Sequence, residues 1–285
     1  MKRIGLIVNR GKPEAADVVR QVASLARRLG LAWVADEPDA RLAPGGEPAG
    51  ADGFAGRVDG VVVLGGDGTM LAAARRLQGS GVPLIGLNLG DLGYLTSIEA
   101  TRIEEALECL RHERFTISRR ATLASRIVRR DGAQTATPDA LNDVVVSRGA
   151  SGRAVWLELA LDGVFVTTYL CDGIILSTPT GSTAYALSAG GPILMPGTPA
   201  LLLAAICPHT LSSRPLVVPD ATAVTIRVGE AAAPLVVSVD GQEDFTLAPD
   251  DGIEVRRSPR DVPVIHLPGY DGYAVLNRKL GWGGH

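Results

Sequence analysis

Two segments of this chain carry residue types that can handle phosphate and a hydroxyl group. The first is Gly65-Gly66-Asp67-Gly68-Thr69, which follows an apolar run and leads into a helical pattern. Glycines at such a turn let main-chain N–H groups approach phosphate oxygens, and a helix N-terminus adds partial positive charge. A carboxylate there is a poor phosphate neighbour unless it has a task. It can orient a hydroxyl and accept its proton during phosphoryl transfer. The same five residues equally fit a tight turn in which Asp67 merely caps the helix. The second segment runs from Asp172 and Gly173 through Ser177 to Pro192. It places hydroxyls at Ser177, Thr178, Thr180, Ser182 and Thr183 among small residues. Small residues admit a ligand closely, hydroxyls and amides supply donors, and Tyr185 offers an aromatic face to a base or sugar. An ordinary Ser/Thr-rich loop capping a helix is the plainer reading. The density of small polar residues beside a strand end favours a ligand site.

The better-known phosphate motifs are missing. Lysine occurs only at positions 2, 12 and 279, and the one Gly-Lys pair, Gly11-Lys12, is followed by Pro13, which excludes a Walker loop. No GxGxxG follows an expected strand and opens a helix, so the dehydrogenase fingerprint is absent. Lys+Arg 28 against Asp+Glu 31 gives 28 − 31 = −3, without the basic footprint of a general nucleic-acid binder. Cys109, Cys171 and Cys207 are scattered and odd in number, which suits a reducing compartment and offers no metal pair. The apolar run that ends at Val8 is too short for a signal-peptide core, and Ala200–Cys207 is too short to span a bilayer. The expectation is a cytoplasmic protein with no membrane and no nucleic-acid partner.

These segments need elements to hold them. Ile4–Val8, Val58–Leu64 and Leu84–Leu87 read as strands, and Val61-Val62-Val63-Leu64 has the continuous apolar character of a parallel strand buried on both faces. Pro13–Leu29 and Met70–Gln78 read as helices. Thr101-x-x-Glu104 reads as a capping box before a helix whose Ile103, Ala106, Leu107 and Leu110 share a face. Pro44–Gly56, rich in Gly, Pro and Ala, reads as a mobile surface loop. Strand–helix alternation over residues 1–114 predicts a doubly wound parallel sheet. Beyond it, Val155, Leu157, Leu159 and Leu161 alternate with other residues before Asp162-Gly163, and Leu235, Val237 and Val239 do so before Asp240-Gly241. Both are hairpin signals with a left-handed turn. Residues 115–265 therefore read as a mainly antiparallel β domain, with 266–285 a C-terminal segment expected to pack back on the α/β domain.

Taken together, the segments resemble the NAD kinase family. The resemblance rests on Gly65–Thr69, Asn88–Thr96, Leu141-Asn142-Asp143, Asp172-Gly173, Ser177–Pro192, Pro208–Leu216, Asp240-Gly241-Gln242 and Lys279-Leu280-Gly281-Trp282, in that order. The family implies an α/β-plus-β architecture with a cleft between domains, and dimers or tetramers. It implies ATP-dependent phosphorylation of the 2′-hydroxyl of the adenosine ribose of NAD, with polyphosphate an alternative donor and Mg²⁺ bound mainly through the phosphates. By resemblance Asp67 activates the hydroxyl, and Asp67 and Gly68 contact the dinucleotide. Asn142, Asp143, Arg153, Asp172, Thr183, Ala184, Tyr185, Ala186, Leu187, Ser188 and Gln242 match further dinucleotide contacts. Two positions depart from the family. Ala72 stands where many relatives have Arg, so that contact falls to Arg75 or Arg76 or is absent. Leu170 and Cys171 precede Asp172 where some relatives place Arg, which bears on the choice between NAD and NADH. The competing classes are a lipid or sugar kinase with the same turn and a non-catalytic NAD(P) sensor.

Overall fold

The computed structural model describes all residues except 51–52, 91–92, 97, 211, 230, 232 and 283–285. Asp91, Leu92 and Leu211, part of the motifs above, lie outside the described residues. The chain forms two compact units: Met1–Arg119 with Val262–His285, and Arg120–Asp261.

The first unit is built on a sheet whose order is Gly46–Pro48, Ala32–Ala35, Arg3–Val8, Gly60–Gly65, Leu84–Asn88, Val262–His266 and Thr116–Arg120. The pairings from Gly46–Pro48 across to Val262–His266 are parallel. Gly60–Gly65 is buried throughout. Its Val62 and Leu64 join a cluster with Val19 and Val22 of the helix Ala15–Leu29 and Leu107 and Leu110 of the helix Ile103–Arg111. Val61 and Val63 alternate to the other face and are equally buried, as a doubly covered parallel strand requires. The chain builds outward from Arg3–Val8 to one side and from Gly60–Gly65 to the other. The C-terminal ends of these two strands thus form a topological switch point, where open α/β sheets place ligands.

The second unit is a pair of antiparallel sheets. One runs Leu216–Pro219, Ala200–Ile206, Gly173–Ser177, Asp143–Ser147, Leu235–Val239, Glu243–Leu247. The other runs Val164–Cys171, Val155–Leu161, Val224–Val228, Gly252–Arg257, Leu123–Val128, Gln134–Ala136. Inward residues of both share one core that includes Val144, Val146, Leu176 and Val237 from the first sheet and Leu157, Leu159, Ile226 and Ile253 from the second. Both expected hairpin turns are left-handed: Asp162 and Gly163 have φ of 50° and 78°, and Asp240 and Gly241 have 54° and 63°.

Four local expectations are corrected. The Val262–His266 strand, which the sequence groups almost wholly with the β-rich stretch to 265, lies in the first sheet beside Leu84–Asn88. Within Pro44–Gly56, Gly46–Pro48 pairs with Ala32–Ala35 and Phe54 is fully buried, so part of that stretch is anchored. The Thr101–Glu104 capping box does not form. A 3₁₀ turn over Ala100–Arg102 displaces the helix start to Ile103, and Thr101 Oγ1 donates to Glu99 instead. The helix after the glycine turn starts at Asp67, not Met70, with Gly66 as its N-cap residue.

Candidate active site

Asp67 is the first residue of the helix Asp67–Arg76 at the switch point. Its carboxylate does not cap that helix. It turns to the loop after Leu84–Asn88 and accepts from three consecutive amides, Tyr94 N on Oδ2 (2.9 Å) and Leu95 N and Thr96 N on Oδ1 (2.9 and 3.1 Å). Thr96 Oγ1 adds a longer bond of 3.3 Å, and Lys279 Nζ lies 3.0 Å from Oδ2. Gly93 permits this approach, because a Cβ there would stand 2.1 Å from Asp67 Oδ1. Burial alone would raise the Asp67 pKa. The Lys279 ammonium and the amide donors outweigh burial and hold the carboxyl below its usual range. Asp67 is thus fixed and ionised. The plainer reading, in which it caps its own helix, does not hold.

Gly66 and Gly68 flank this carboxylate, and a Cβ built on either meets nothing within 4 Å. Packing does not require glycine at 68, so Gly68→Ala is expected to keep or slightly raise stability, by up to about 1 kcal/mol in a helix. The added methyl takes up space beside Asp67, and turnover is expected to fall at least about tenfold. Thermal melting and initial rates on one preparation check both halves.

In the second unit the organising group is Asp240. From its left-handed turn it accepts the amides of Leu141 (2.9 Å), Asn142 (2.7 Å) and Asp143 (3.1 Å). Asn142 is further fixed by Thr178 N, which donates to its carbonyl at 2.9 Å, and Thr178 Oγ1 donates to Leu141 O at 2.6 Å. Gly181 lies flat against the same peptide. Burial first, and the Asp240 charge second, push the Asp143 carboxyl up to about 7. The folded protein therefore holds this proton far above the ordinary carboxylate pKa of 3.8. Stability from Asp143 is full below that ordinary value and is lost as pH rises to about 7. Asp143→Asn is expected to flatten the decline in melting temperature between about pH 5 and pH 8. An unchanged decline would assign it to other groups.

The hydroxyl-rich stretch does not present a row of ligand donors. Ser177, Thr178 and Ser182 are fully buried, and their hydroxyls bond to main-chain carbonyls, Ser182 Oγ to Pro179 O at 2.7 Å within the loop and Thr178 Oγ1 to Leu141 O beside it. Thr183 Oγ1 turns back to Thr180 O at 3.3 Å. These groups build the loop, because a buried hydroxyl must find a partner. Of the following residues, Ala186 is buried, Ala184 and Leu187 are half-buried, and Tyr185 (47% exposed) and Ser188 reach solvent.

Asp172 is paired with Arg148 at 2.8 Å. It precedes Gly173, which lies opposite Ser147, whereas Asp143 lies opposite Ser177 at the other end of the same ladder. At about 3.4 Å per residue the two ends are about 14 Å apart. Arg153 is exposed in the following loop, and Gln242 follows the Asp240-Gly241 turn, half-buried. Arg76 cannot replace a contact at Ala72, since it is bound to Asp36 and stacked on Phe54. Cys171 is buried and its thiol is pushed up to about 11, chiefly by burial, so it is an inert core residue. Sequence reasoning quoted Thr96 and Lys279 only within matched segments and gave neither a role, it passed over Arg148, and it read Asp240 first as a turn.

The chain as a whole is similar to known proteins over nearly its full length. The NAD kinase of Syntrophotalea carbinolica is 39% identical over 284 residues, which cover 99% of each chain. This chain belongs to the NAD kinase family. The models of the ATP-NAD kinase N-terminal and C-terminal domains match residues 47–115 and 141–267. The NAD kinase of Thiobacillus denitrificans is 44% identical over 225 residues, 79% of this chain and 77% of its own length. The crystal structure of yeast NADH kinase complexed with NADH superposes with a TM-score of 0.92 at 25% identity, covering 100% of this chain and 89% of that one. An Archaeoglobus fulgidus NAD kinase in complex with ATP gives 0.76 at 23% identity over 99% and 98% of the two chains, a likeness of fold.

Among the described residues no group of three or more His, Cys, Asp or Glu side chains could hold a metal ion. Both Asp67 oxygens face hydrogen donors, one of them cationic. Among the described residues, the side chains around Asp67 supply no cage for Mg²⁺. Among the described residues no helix is long and apolar enough to cross a membrane.

Proposed function

We propose that this protein transfers the terminal phosphoryl group of ATP to the 2′-hydroxyl of the adenosine ribose of NAD, giving NADP, with Asp67 orienting that hydroxyl and accepting its proton. Family membership carries the coarse activity, phosphorylation of NAD with ATP. The observation that supports the finer assignment is the Asp67 carboxylate fixed by three amides at the switch point. Phosphoryl transfer depends on positioning and charge compensation more than on covalent help. A carboxylate of low basicity suits a proton that leaves late, after bonding to phosphorus has made the hydroxyl acidic. Mg²⁺ accompanies the ATP phosphates, as it usually does in phosphoryl transfer.

In this reading the α/β unit, Met1–Arg119 with the segment that returns from Val262, carries the phosphoryl chemistry, and Arg120–Asp261 holds the dinucleotide. Asn142, Asp143, Asp172, Gln242, Arg153 and the run Thr183–Ser188 are the binding residues. A dinucleotide has two ends to hold, and the two ends of the Asp143–Ser147 ladder suit that need. The protein works in the cytoplasm as a homodimer or homotetramer. Incubation with ATP, Mg²⁺ and NAD, with NADP measured by enzymatic cycling, tests the proposal. Accumulation of NADP is expected, and NAD binding without turnover would overturn it. Arms with polyphosphate and with NADH settle the donor and the redox form.

A further inference from the structure

The carboxylate assigned to receive a proton has no room for one. An ionised carboxylate offers about four lone-pair positions. Asp67 receives five donors: the amides of Tyr94, Leu95 and Thr96, the Thr96 hydroxyl, and the Lys279 ammonium. The first four belong to three consecutive loop residues, and Tyr94 and Thr96 are buried. The fifth sits on a long flexible stem, on the helix Gly272–Leu280 that Val275 and Leu276 anchor by burial. Its side chain is 30% exposed, and its ammonium lies 5.9 Å from the Tyr94 ring centroid. Lys279 is one of only three lysines, in a chain that otherwise uses arginine for positive charge. Arg favours planar bidentate pairing, whereas Lys is a compact point charge with three rotatable donors that changes partner readily.

We infer that Lys279 is a positioning residue with two partners: it holds Asp67 Oδ2 in the arrangement seen here and moves to the phosphates of ATP during the reaction, freeing that oxygen for the ribose hydroxyl. Of the two donors on Oδ2, Tyr94 N and Lys279 Nζ, it is the one that can leave without moving the loop main chain. Its exchange is also electrostatically coherent. A cation beside Oδ2 opposes proton uptake there, while the same cation on the triphosphate stabilises the charge that develops on transfer. In the step itself the hydroxyl proton passes to Asp67 Oδ2 and the hydroxyl oxygen bonds to the terminal phosphorus. The bond from that phosphorus to its bridging oxygen breaks, and the electron pair leaves with ADP. This inference rests on Asp67 being the proton acceptor.

Among the described residues the charged group facing Asp67 is Lys279. The loop presents amides, a hydroxyl and the Tyr94 ring. The test is steady-state kinetics on the full chain with ATP, Mg²⁺ and NAD, at about pH 6 and pH 8. Lys279→Met, Lys279→Arg and Asp67→Asn are compared, with circular dichroism to follow folding. Lys279→Met is expected to raise KM for ATP at least about tenfold while KM for NAD stays within about twofold. Its kcat at pH 6 relative to pH 8 is expected to fall below the wild-type ratio, since burial then dominates at Asp67, and Lys279→Arg is expected to recover most of both effects. A folded Lys279→Met with wild-type KM for ATP and a wild-type pH ratio overturns the inference. If that chain does not fold, Lys279→Gln, which keeps a donor without charge, is read by the same criteria. Near-normal turnover in Asp67→Asn would instead remove the proton-acceptor assignment itself, so the two failures are distinguishable.

Discussion

Asp67→Asn is expected to lower kcat about 10³-fold while the dissociation constant for NAD changes by no more than about threefold, within the range that loss of a general base produces. The amide can still accept from Leu95 N and Thr96 N through its oxygen. Its nitrogen then faces Tyr94 N and Lys279 Nζ, two donors that need an acceptor. That mismatch is expected to cost about 1–3 kcal/mol of stability as well. Isothermal titration with NAD, thermal melting and NADP formation separate the three effects. Turnover within about tenfold of wild type would take the proton-accepting role away from Asp67.

Gly181→Ala is expected to be the most damaging single methyl in the second unit. A Cβ at 181 would stand 2.2 Å from Asn142 O, 2.5 Å from its carbonyl carbon and 2.7 Å from its Cα. These are main-chain atoms, tied on the other side by the three amide bonds to Asp240, so no rotamer change relieves the clash. Overpacking without escape costs about 3 kcal/mol or more. Displacing Asn142 is expected to weaken NAD binding at least about tenfold. Gly190→Ala is the control. Gly190 has a positive φ of 82°, but a Cβ there meets nothing within 4 Å, so its cost is confined to the backbone. A Gly181→Ala protein with wild-type melting and affinity would show that the Asn142 peptide can move.

The legible part of this fold was local. Val61–Leu64 announced a strand buried on both faces, and the Asp-Gly pairs at 162–163 and 240–241 announced left-handed turns, because in each case neighbouring residues decide the conformation. The turn carrying Asp67 was legible for the same reason. What it bonds to was not, since Lys279 lies 212 positions away in sequence and no periodicity links the two. The hydroxyls of residues 177–183 showed the same limit. Composition reveals that donors are present, but only packing decides whether they face a ligand or the protein's own main chain, and here the carbonyls of the loop and of residues 141–142 take Ser177, Thr178 and Ser182. Asp240 was seen as a turn residue because glycine follows it, and its hold on residues 141–143 depends on the register between Asp143–Ser147 and Leu235–Val239, about 90 positions apart in sequence. The capping box at Thr101 failed because a 3₁₀ turn, which no residue type marks, moved the helix start.

The interruption of the first sheet also shapes how the protein is made. Val262–His266 lies inside that sheet, beside Leu84–Asn88 in the strand order ahead of Thr116–Arg120. A ribosome must therefore deliver the chain as far as His266 before the parallel layer can close, whereas Arg120–Asp261 is contiguous and free to condense earlier. Lys279 emerges after the Val262–His266 strand. A nascent or truncated product ending before Val262 would carry Asp67 without its cation, alongside a sheet missing an inner member.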